Sequence, residues 1–280
     1  MALTTVRALF TFAHHFLTRF HIPHPEREAG ILLSILLNCS WPDLYLEGKR
    51  VVEGEKVETF RRWVKRRARG EPVAYITEHV HFMDCLLTVD ARVLIPRQET
   101  ELLVDLALKE DCSGVIWDLC TGCGAIALGV KKHRPEAVVI GSDLSEAALT
   151  LARKNAEFND LDLSFRLGDL LAPFRGEKAN VIFCNPPYVS EEEFVFLERE
   201  VSAFEPKLAL VAEKGGLLFF ERLREELPQF LAPGGRVYLE IGSTQRRAVT
   251  QLFDQKCWTK KECQKDWAGL DRFFLLEFLR

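Results

Sequence analysis

The sequence has no surplus of basic charge, no long apolar run and no paired-cysteine framework, and each absence removes a class of protein. Against 37 Lys and Arg stand 41 Asp and Glu, a formal net charge of −4. A chain that lives wrapped on nucleic acid is normally basic, so bulk charge argues against that life while leaving room for a local basic face. The longest nearly uncharged stretch runs from Ala29 to Leu44, with only Asp43 interrupting it. That is short of the ~20 apolar residues of a membrane-spanning helix, so no membrane association is expected. The first 25 residues lack acids, as mitochondrial transit peptides do. Yet Val6, Leu9, Phe10, Ala13, Phe16, Leu17 and Phe20 recur at helical spacing, which favours a core-facing helix. A secretory leader pattern is also missing. Of the eight cysteines, Cys39, Cys85, Cys184 and Cys257 each stand alone beside apolar residues, like small buried hydrophobes. Cys120 and Cys123 form a C-x-x-C without a second pair or an H-x-x-x-H partner, so neither a metal site nor a redox motif is expected. Reduced thiols and a cytoplasmic location are the simplest reading.

What is present is ordinary globular material. A hydrophobic fraction of 48% and a charged fraction of 28% exclude disorder, and 280 residues suggest two domains. Residues 1–72 read as helices: the opening one, a second over 26–38 and a third over 55–69, with a capping box at Ser40-Trp-Pro-Asp43. The third carries Val57, Phe60, Val64 and Ala68 on one face and Arg61, Arg62, Lys65, Arg66, Arg67 and Arg69 on the other. That basic face is either solvated or a docking surface for an acidic partner or RNA. Residues 73–96 read as a β-hairpin linker, with short β-like runs at Tyr75-Ile76, Val80–Phe82 and Leu86–Val89 and a turn at Asp84. Over 97–280 strands and helices alternate, which predicts an α/β domain with a doubly wound, mainly parallel sheet. Strands are expected near 115–119, 137–143, 163–167, 179–185, 235–241 and 272–279, the last antiparallel after a hairpin-like 258–267. Continuous helices are expected over 191–201 and 216–230, among others.

The chemistry gathers at the strand ends. Val115-Ile-Trp-Asp-Leu-Cys-Thr-Gly-Cys-Gly-Ala-Ile-Ala127 runs from an apolar strand through a glycine turn into a helix. Gly122, Gly124 and Ala127 satisfy G-x-G-x-x-G/A, which brings backbone amides and a helix N-terminus against a nucleotide cofactor. Asp143 ends the next strand, where an acid accepts both ribose hydroxyls. Asp118, just before the turn, would repel a dinucleotide's pyrophosphate and attract the cationic end of S-adenosylmethionine; a turn cap is its ordinary alternative. Asp169 ends the third strand, within reach of an adenine amino group. The sharpest site is Val181-Ile-Phe-Cys-Asn-Pro-Pro-Tyr188. Two prolines remove two N–H donors and leave carbonyls free, so the Asn185 side-chain oxygen and the Pro186 carbonyl suit the two hydrogens of a planar –NH₂. Tyr188 would stack on the substrate or close the pocket.

These motifs resemble those of class I S-adenosylmethionine methyltransferases that act on amino groups. Four further segments narrow the resemblance: Arg69-Gly-Glu-Pro-Val-Ala-Tyr-Ile76, Val93-Leu-Ile-Pro-Arg-Gln-Glu-Thr-Glu101, Glu205-Pro206 followed by Leu208-Ala-Leu210, and Glu240-Ile-Gly242 with Gln245. Together, from about Leu3 onward, they look like the HemK/PrmC family of peptide chain release factor glutamine methyltransferases. The resemblance implies a small helical N-terminal substrate-recognition domain, a β-hairpin and a seven-stranded Rossmann-like methyltransferase domain. It implies methylation of the glutamine amide of the Gly-Gly-Gln motif in bacterial class I release factors, with S-adenosylhomocysteine as product. Carried over, Cys120, Thr121, Gly122, Cys123, Gly124, Asp143, Leu144 and Leu170 line the cofactor site, with Asp118, Asp169 and Asn185 supporting it. Asn185, Pro186, Pro187 and Tyr188 hold the glutamine, and Arg97 and Glu99 neighbour it. Asn185, Pro186 and Tyr188 are the catalytic candidates.

Three positions depart from the family pattern. Cys120 replaces a usual Gly, which costs roughly 1–2 kcal/mol if the turn requires positive φ and puts cofactor affinity in question. Gln98 replaces a Pro, and Ala212-Glu-Lys-Gly-Gly216 alters a surface turn. The competing function is methylation of an adenine or guanine amino group in DNA or RNA, since a flipped base presents a similar –NH₂. No nucleic-acid substrate is expected, and a monomer is the default. Residues 1–85 hold 12 basic and 10 acidic side chains, the remainder 25 and 31, so a basic recognition part precedes an acidic catalytic part.

Overall fold

In a computed structural model, residues 4–279 are described, so residues 1–3 and Arg280, the outermost ends of the expected domains and of the resemblance, lie outside it. The chain divides into two units: Met1–Glu78 with Glu198–Phe204, and His79–Leu197 with Glu205–Arg280.

The first unit holds α1 (Val6–Arg19), α2 (Pro25–Leu37), α3 (Trp41–Leu46), α4 (Gly54–Arg67) and α5 (Val73–Thr77). Leu9, Ala13 and Leu17 of α1 pack with Leu32 and Leu33 of α2 and with Phe60 and Val64 of α4 in one apolar core. The opening stripe is therefore a core face, although Phe20 at its end is half exposed. The capping box at Ser40 forms as expected, with Asp43 accepting the Ser40 N–H at 2.9 Å. Tyr75-Ile76 is not a β-run. Both residues lie in α5, and both N–H groups donate to the Pro72 carbonyl at 3.1 Å, closing a helical turn.

The basic face of α4 is also corrected. Arg66 donates to both Glu71 carboxylate oxygens, at 2.8 and 2.6 Å, and to the Tyr75 and Ile76 carbonyls. Arg67 is buried, pairing with Glu28 at 2.6 Å and with Glu200 at 2.9 Å. It ties α2 and α4 to the distant segment Glu198–Phe204. Only Arg61, Arg62, Lys65 and Arg69 remain exposed.

The second unit opens with the hairpin β1 (His79–Phe82) and β2 (Cys85–Thr88). Met83 and Asp84 both take positive φ, as a two-residue hairpin turn requires. There follow α6 (Gln98–Leu108), β3 (Val115–Leu119), α7 (Ala125–His133), β4 (Val138–Asp143), α8 (Glu146–Phe158), β5 (Ser164–Leu167) and β6 (Ala179–Cys184). The hairpin is fastened by asparagines that bond like a third strand. Asn155 accepts the Thr88 N–H at 2.8 Å and donates to the Thr88 carbonyl, and Asn159 does the same for Leu86.

Beyond β6 lie α9 (Glu191–Phe194), α10 (Arg199–Phe204), the turn α11 (Glu213–Gly216), α12 (Leu218–Glu226), β7 (Leu231–Glu240), α13 (Arg246–Leu252), β8 (Trp258–Lys265) and β9 (Asp271–Phe278). The single helix expected over 191–201 is two, because Val195 and Phe196 between them are exposed and have no face to bury. The helix expected over 216–230 runs only to Glu226, with one 3₁₀ turn after it. The seven-stranded sheet has the order β5-β4-β3-β6-β7-β9-β8, parallel except where β9 pairs with β7 and β8. This is the expected α/β class. Strand order reverses between β3 and β6, and the loops leaving their carboxyl ends lie where such sheets bind ligands.

Candidate functional site

At that switch point lies a cavity of about 270 Å³, walled by the loops after β3, β4, β5 and β6 and roofed by residues 91–97. The turn after β3 is built on left-handed backbone: Cys120 at φ +57°, Gly122 at +56° and Gly124 at +87°. Gly124 is the N-cap of α7, and its φ of +87° is one that side-chain-bearing residues rarely adopt. Cys120 carries the penalty foreseen for a non-glycine residue, since αL conformation costs an L side chain roughly 1–2 kcal/mol.

The three strand-end acids have three different environments. Asp143 lines the cavity, and its two oxygens accept the Gly122 and Ser145 N–H groups at 2.9 Å each. A carboxylate offers about four acceptor sites, so each oxygen keeps one for a ligand hydroxyl. Burial raises its pKa, while the backbone N–H groups work the other way. Asp118 does not line the cavity. It is buried, and its Oδ2 accepts from the Thr121 hydroxyl and, at 3.0 Å, from the Ala127 N–H. The turn-capping alternative therefore describes Asp118 as it stands. Its Oδ1 is buried without a hydrogen-bond partner, and burial lifts the carboxyl pKa to about 7. Asp169 does line the cavity, but Arg222 grips both its oxygens, at 3.0 and 2.9 Å. Its charge is compensated, while each oxygen still has acceptor capacity.

Of the remaining cofactor candidates, Cys120, Thr121, Gly122, Cys123, Leu144 and Leu170 line the cavity and Gly124 sits behind the turn. Asn185 and Pro187 line it as well. The Asn185 side chain makes no hydrogen bond to any described residue, so its carbonyl oxygen faces no competing donor. Pro186 and Tyr188 are not lining residues. The Tyr188 hydroxyl donates to Glu240 at 3.1 Å and its ring packs on the sheet core. Burial and the Glu240 carboxylate both push its pKa up.

Arg97 lines the cavity and Glu99 does not. Arg97 is latched to the buried Glu205 at 2.6 Å, whose other oxygen accepts the Ile95 N–H at 3.1 Å. The roof is thus held by a carboxylate 108 residues away in sequence. Glu205 was visible in the sequence only as part of a motif. Thr100, a lining residue, was visible only as part of the Val93–Glu101 motif, and Phe219, one aromatic among several, gave no local signal. Among the described residues no cluster of His, Cys, Asp and Glu suits a metal ion, and no helix is long and apolar enough to cross a membrane.

Comparison with known proteins bears on both units. Residues 8–77 match the family described as PrmC N-terminal domain, and residues 98–219 that described as methyltransferase small domain. A release factor glutamine methyltransferase of Chlamydia trachomatis serovar L2 is 40% identical, covering 97% of this chain and 94% of the relative. One from Thermodesulfovibrio yellowstonii is 34% identical, covering 90% and 92%. Among solved structures, a methyltransferase from Pyrococcus furiosus aligns with a TM-score of 0.53 at 20% identity, over 69% of this chain and 87% of that one, a likeness of fold.

Proposed function

The chain belongs to the release factor glutamine methyltransferase family, and from that premise we propose that it methylates the side-chain amide nitrogen of the glutamine in the Gly-Gly-Gln motif of a peptide chain release factor, with S-adenosylmethionine as donor. It is an enzyme, a protein-glutamine N5 methyltransferase. The observation that carries the finer reading is the Asn185 side chain, unbonded at the cavity wall and followed by two prolines that donate nothing.

The cavity's donors and acceptors fit the cofactor. Asp143 has one open acceptor site on each oxygen for the ribose hydroxyls, while Asp118 stands behind the turn as its cap. Leu144, Leu170 and the Asp169 carboxylate would flank the adenine. S-adenosylmethionine supplies an electrophilic methyl on a sulfonium. The protein's own task is to present a poor nucleophile, because an amide nitrogen's lone pair is delocalised. The Asn185 Oδ1 and the Pro186 carbonyl would each accept one hydrogen of the glutamine –NH₂, turning the lone pair toward the methyl. The same two acceptors stabilise positive charge growing on nitrogen during attack, and the proton leaves afterwards. No strong base is needed first.

The basic helix that kept a nucleic-acid substrate open has fewer free charges than its sequence suggested, since Arg66 and Arg67 are spent on internal pairs. Incubation with tritiated S-adenosylmethionine should label release factor and leave DNA and RNA unlabelled; the reverse pattern would sink the reading. Asn185→Ala should cut turnover at least 100-fold, a loss typical of removing one such acceptor, while calorimetry gives a nearly unchanged cofactor Kd. Equal loss of both would remove Asn185 from the role assigned to it.

A further inference from the structure

Glu240, the last residue of β7, is a buried carboxylate with no ion-pair partner among the described residues. Arg272 acts electrostatically on both Glu240 and the Tyr188 hydroxyl, while its guanidinium bonds Asp266 at 3.2 Å. Two hydroxyls satisfy the Glu240 carboxylate: Thr100 donates to Oε2 at 2.7 Å and Tyr188 to Oε1 at 3.1 Å. Burying an ionised group whose only hydrogen bonds come from hydroxyls is expensive, and burial raises its pKa although Arg272 works the other way. A hydrophobic residue would fill the same volume at lower cost, so packing does not account for the carboxylate.

Its two donors do. Thr100 lines the cavity from the first turn of α6. Tyr188 closes the Asn-Pro-Pro loop and is held at both ends: the hydroxyl by Glu240, and the carbonyl by Gln245 Nε2 at 2.9 Å. Gly216 comes so close that a Cβ there would sit 2.1 Å from the Tyr188 oxygen. The next residue is pinned as well, Val189 N–H donating to the Leu210 carbonyl at 2.9 Å. Asn185, three residues earlier, makes no side-chain hydrogen bond to any described residue. Its backbone is bracketed by Cys184, fixed in the sheet ladder, and by the two proline φ angles leading to the Tyr188 anchor.

We propose that Glu240 is a positioning residue for methyl transfer, fixing the Asn185–Tyr188 loop through Tyr188 and the facing wall of the cavity through Thr100. The inference rests on the reading of that loop as the glutamine site. Charge-assisted hydrogen bonds to an ionised acceptor are shorter and stronger than neutral ones, which suits an anchor that must hold a reacting geometry. Misplacing a reacting group by about 1 Å costs on the order of 100-fold in rate.

The test is a double-mutant cycle with full-length enzyme, intact release factor and tritiated S-adenosylmethionine. Glu240→Gln and Tyr188→Phe should each lower kcat roughly 10- to 100-fold, with cofactor Kd within about twofold of the parent. The double variant should be no slower than the slower single one. If the two losses multiply, or cofactor Kd weakens in step with kcat, Glu240 is only structural. Should Glu240→Gln fail to fold, Tyr188→Phe decides alone: a kcat lowered at unchanged cofactor Kd supports the proposal, and an unchanged kcat overturns it. Parent enzyme that leaves the factor unlabelled refutes the glutamine reading, whereas labelled factor with multiplying losses refutes the role of Glu240 alone.

Discussion

Two clusters of like charge stand out in this chain, the basic side chains along α4 and the acids that end β3, β4 and β5. On α4 the arginines nearest the C-terminus turn inward: Arg66 binds Glu71 and two carbonyls, and Arg67 is buried between Glu28 and Glu200. At the strand ends, Asp143 keeps acceptor capacity toward a cavity, Asp118 is sealed behind the turn and Asp169 is neutralised by Arg222. A run of charge on a helix is distributed around its circumference, so neighbours in sequence meet different surroundings. Acids at the ends of parallel strands share one edge of the sheet, and what separates them there is depth. Charge count therefore shows neither which side chains are paired internally nor which keep acceptor capacity; the partner of each charge does.

The comparison can be broken at its strongest internal pair. Arg67→Ala leaves Glu28 and Glu200 without their cation, and breaking a buried pair from one side costs about 3–5 kcal/mol, the partly exposed Glu200 placing this one near the lower end. Arg62→Ala, on the exposed side of the same helix, should stay within ~0.5 kcal/mol. Chemical denaturation that ranks the two variants alike would restore the uniform basic face. Next is Asp118. Its carboxyl titrates near 7 in the folded protein against 3.8 ordinarily. The folded state thus holds a proton that the unfolded chain has released, and stability present near pH 4 is lost as pH rises toward 7. Asp118→Asn keeps an acceptor for Thr121 and Ala127 without the charge. It should be the more stable protein above pH 7 by roughly 1–4 kcal/mol, the gap closing in acid. Thermal unfolding from pH 5 to 8 with parallel curves for both proteins would contradict this.

Asp143 should behave otherwise, through the ligand rather than the fold. Asp143→Ala should weaken S-adenosylmethionine by about 1–3 kcal/mol, the value of hydrogen bonds to a charged group, and an unchanged Kd in calorimetry would remove it from the site. The smallest effect is expected at Cys120. Cys120→Gly relieves the φ +57° strain, but glycine also loosens the unfolded chain, leaving a net gain under ~1 kcal/mol. A lowered Tm would mean that the sulfur's packing against the sheet core outweighs the strain.

Much of the fold was legible in the sequence because strand–helix alternation and apolar strands are local signals. β3 runs over Val115–Leu119 as expected, and the antiparallel closing pair follows its hairpin cue. The misreadings had local causes. Tyr75-Ile76 looked like a strand because two buried residues in a row have no period, and the Pro72 carbonyl decided for a helix. Residues 191–201 read as one helix because their composition favours it, although Val195 and Phe196 have nothing to pack on. At the site, Asn185-Pro-Pro, Asp143 and the glycine turn were legible because they depend on backbone chemistry a few residues long. Glu205 and Glu240 were visible only as members of motifs, and what they hold was not, since each acts on groups more than 50 residues away.

By itself the sequence determined the sheet and its order of elements, the turn at Cys120–Gly124 and the donor-free loop at Asn185, because hydrophobic period, glycine and proline act over a few bonds. Only the tertiary structure decided which charges are spent and which are open: that Arg67 is a core tie, that Asp118 caps the turn, that the Tyr188 hydroxyl is tied to Glu240. A charged group's role is set by its partners and by the water it has lost, and neither follows from its neighbours in the chain.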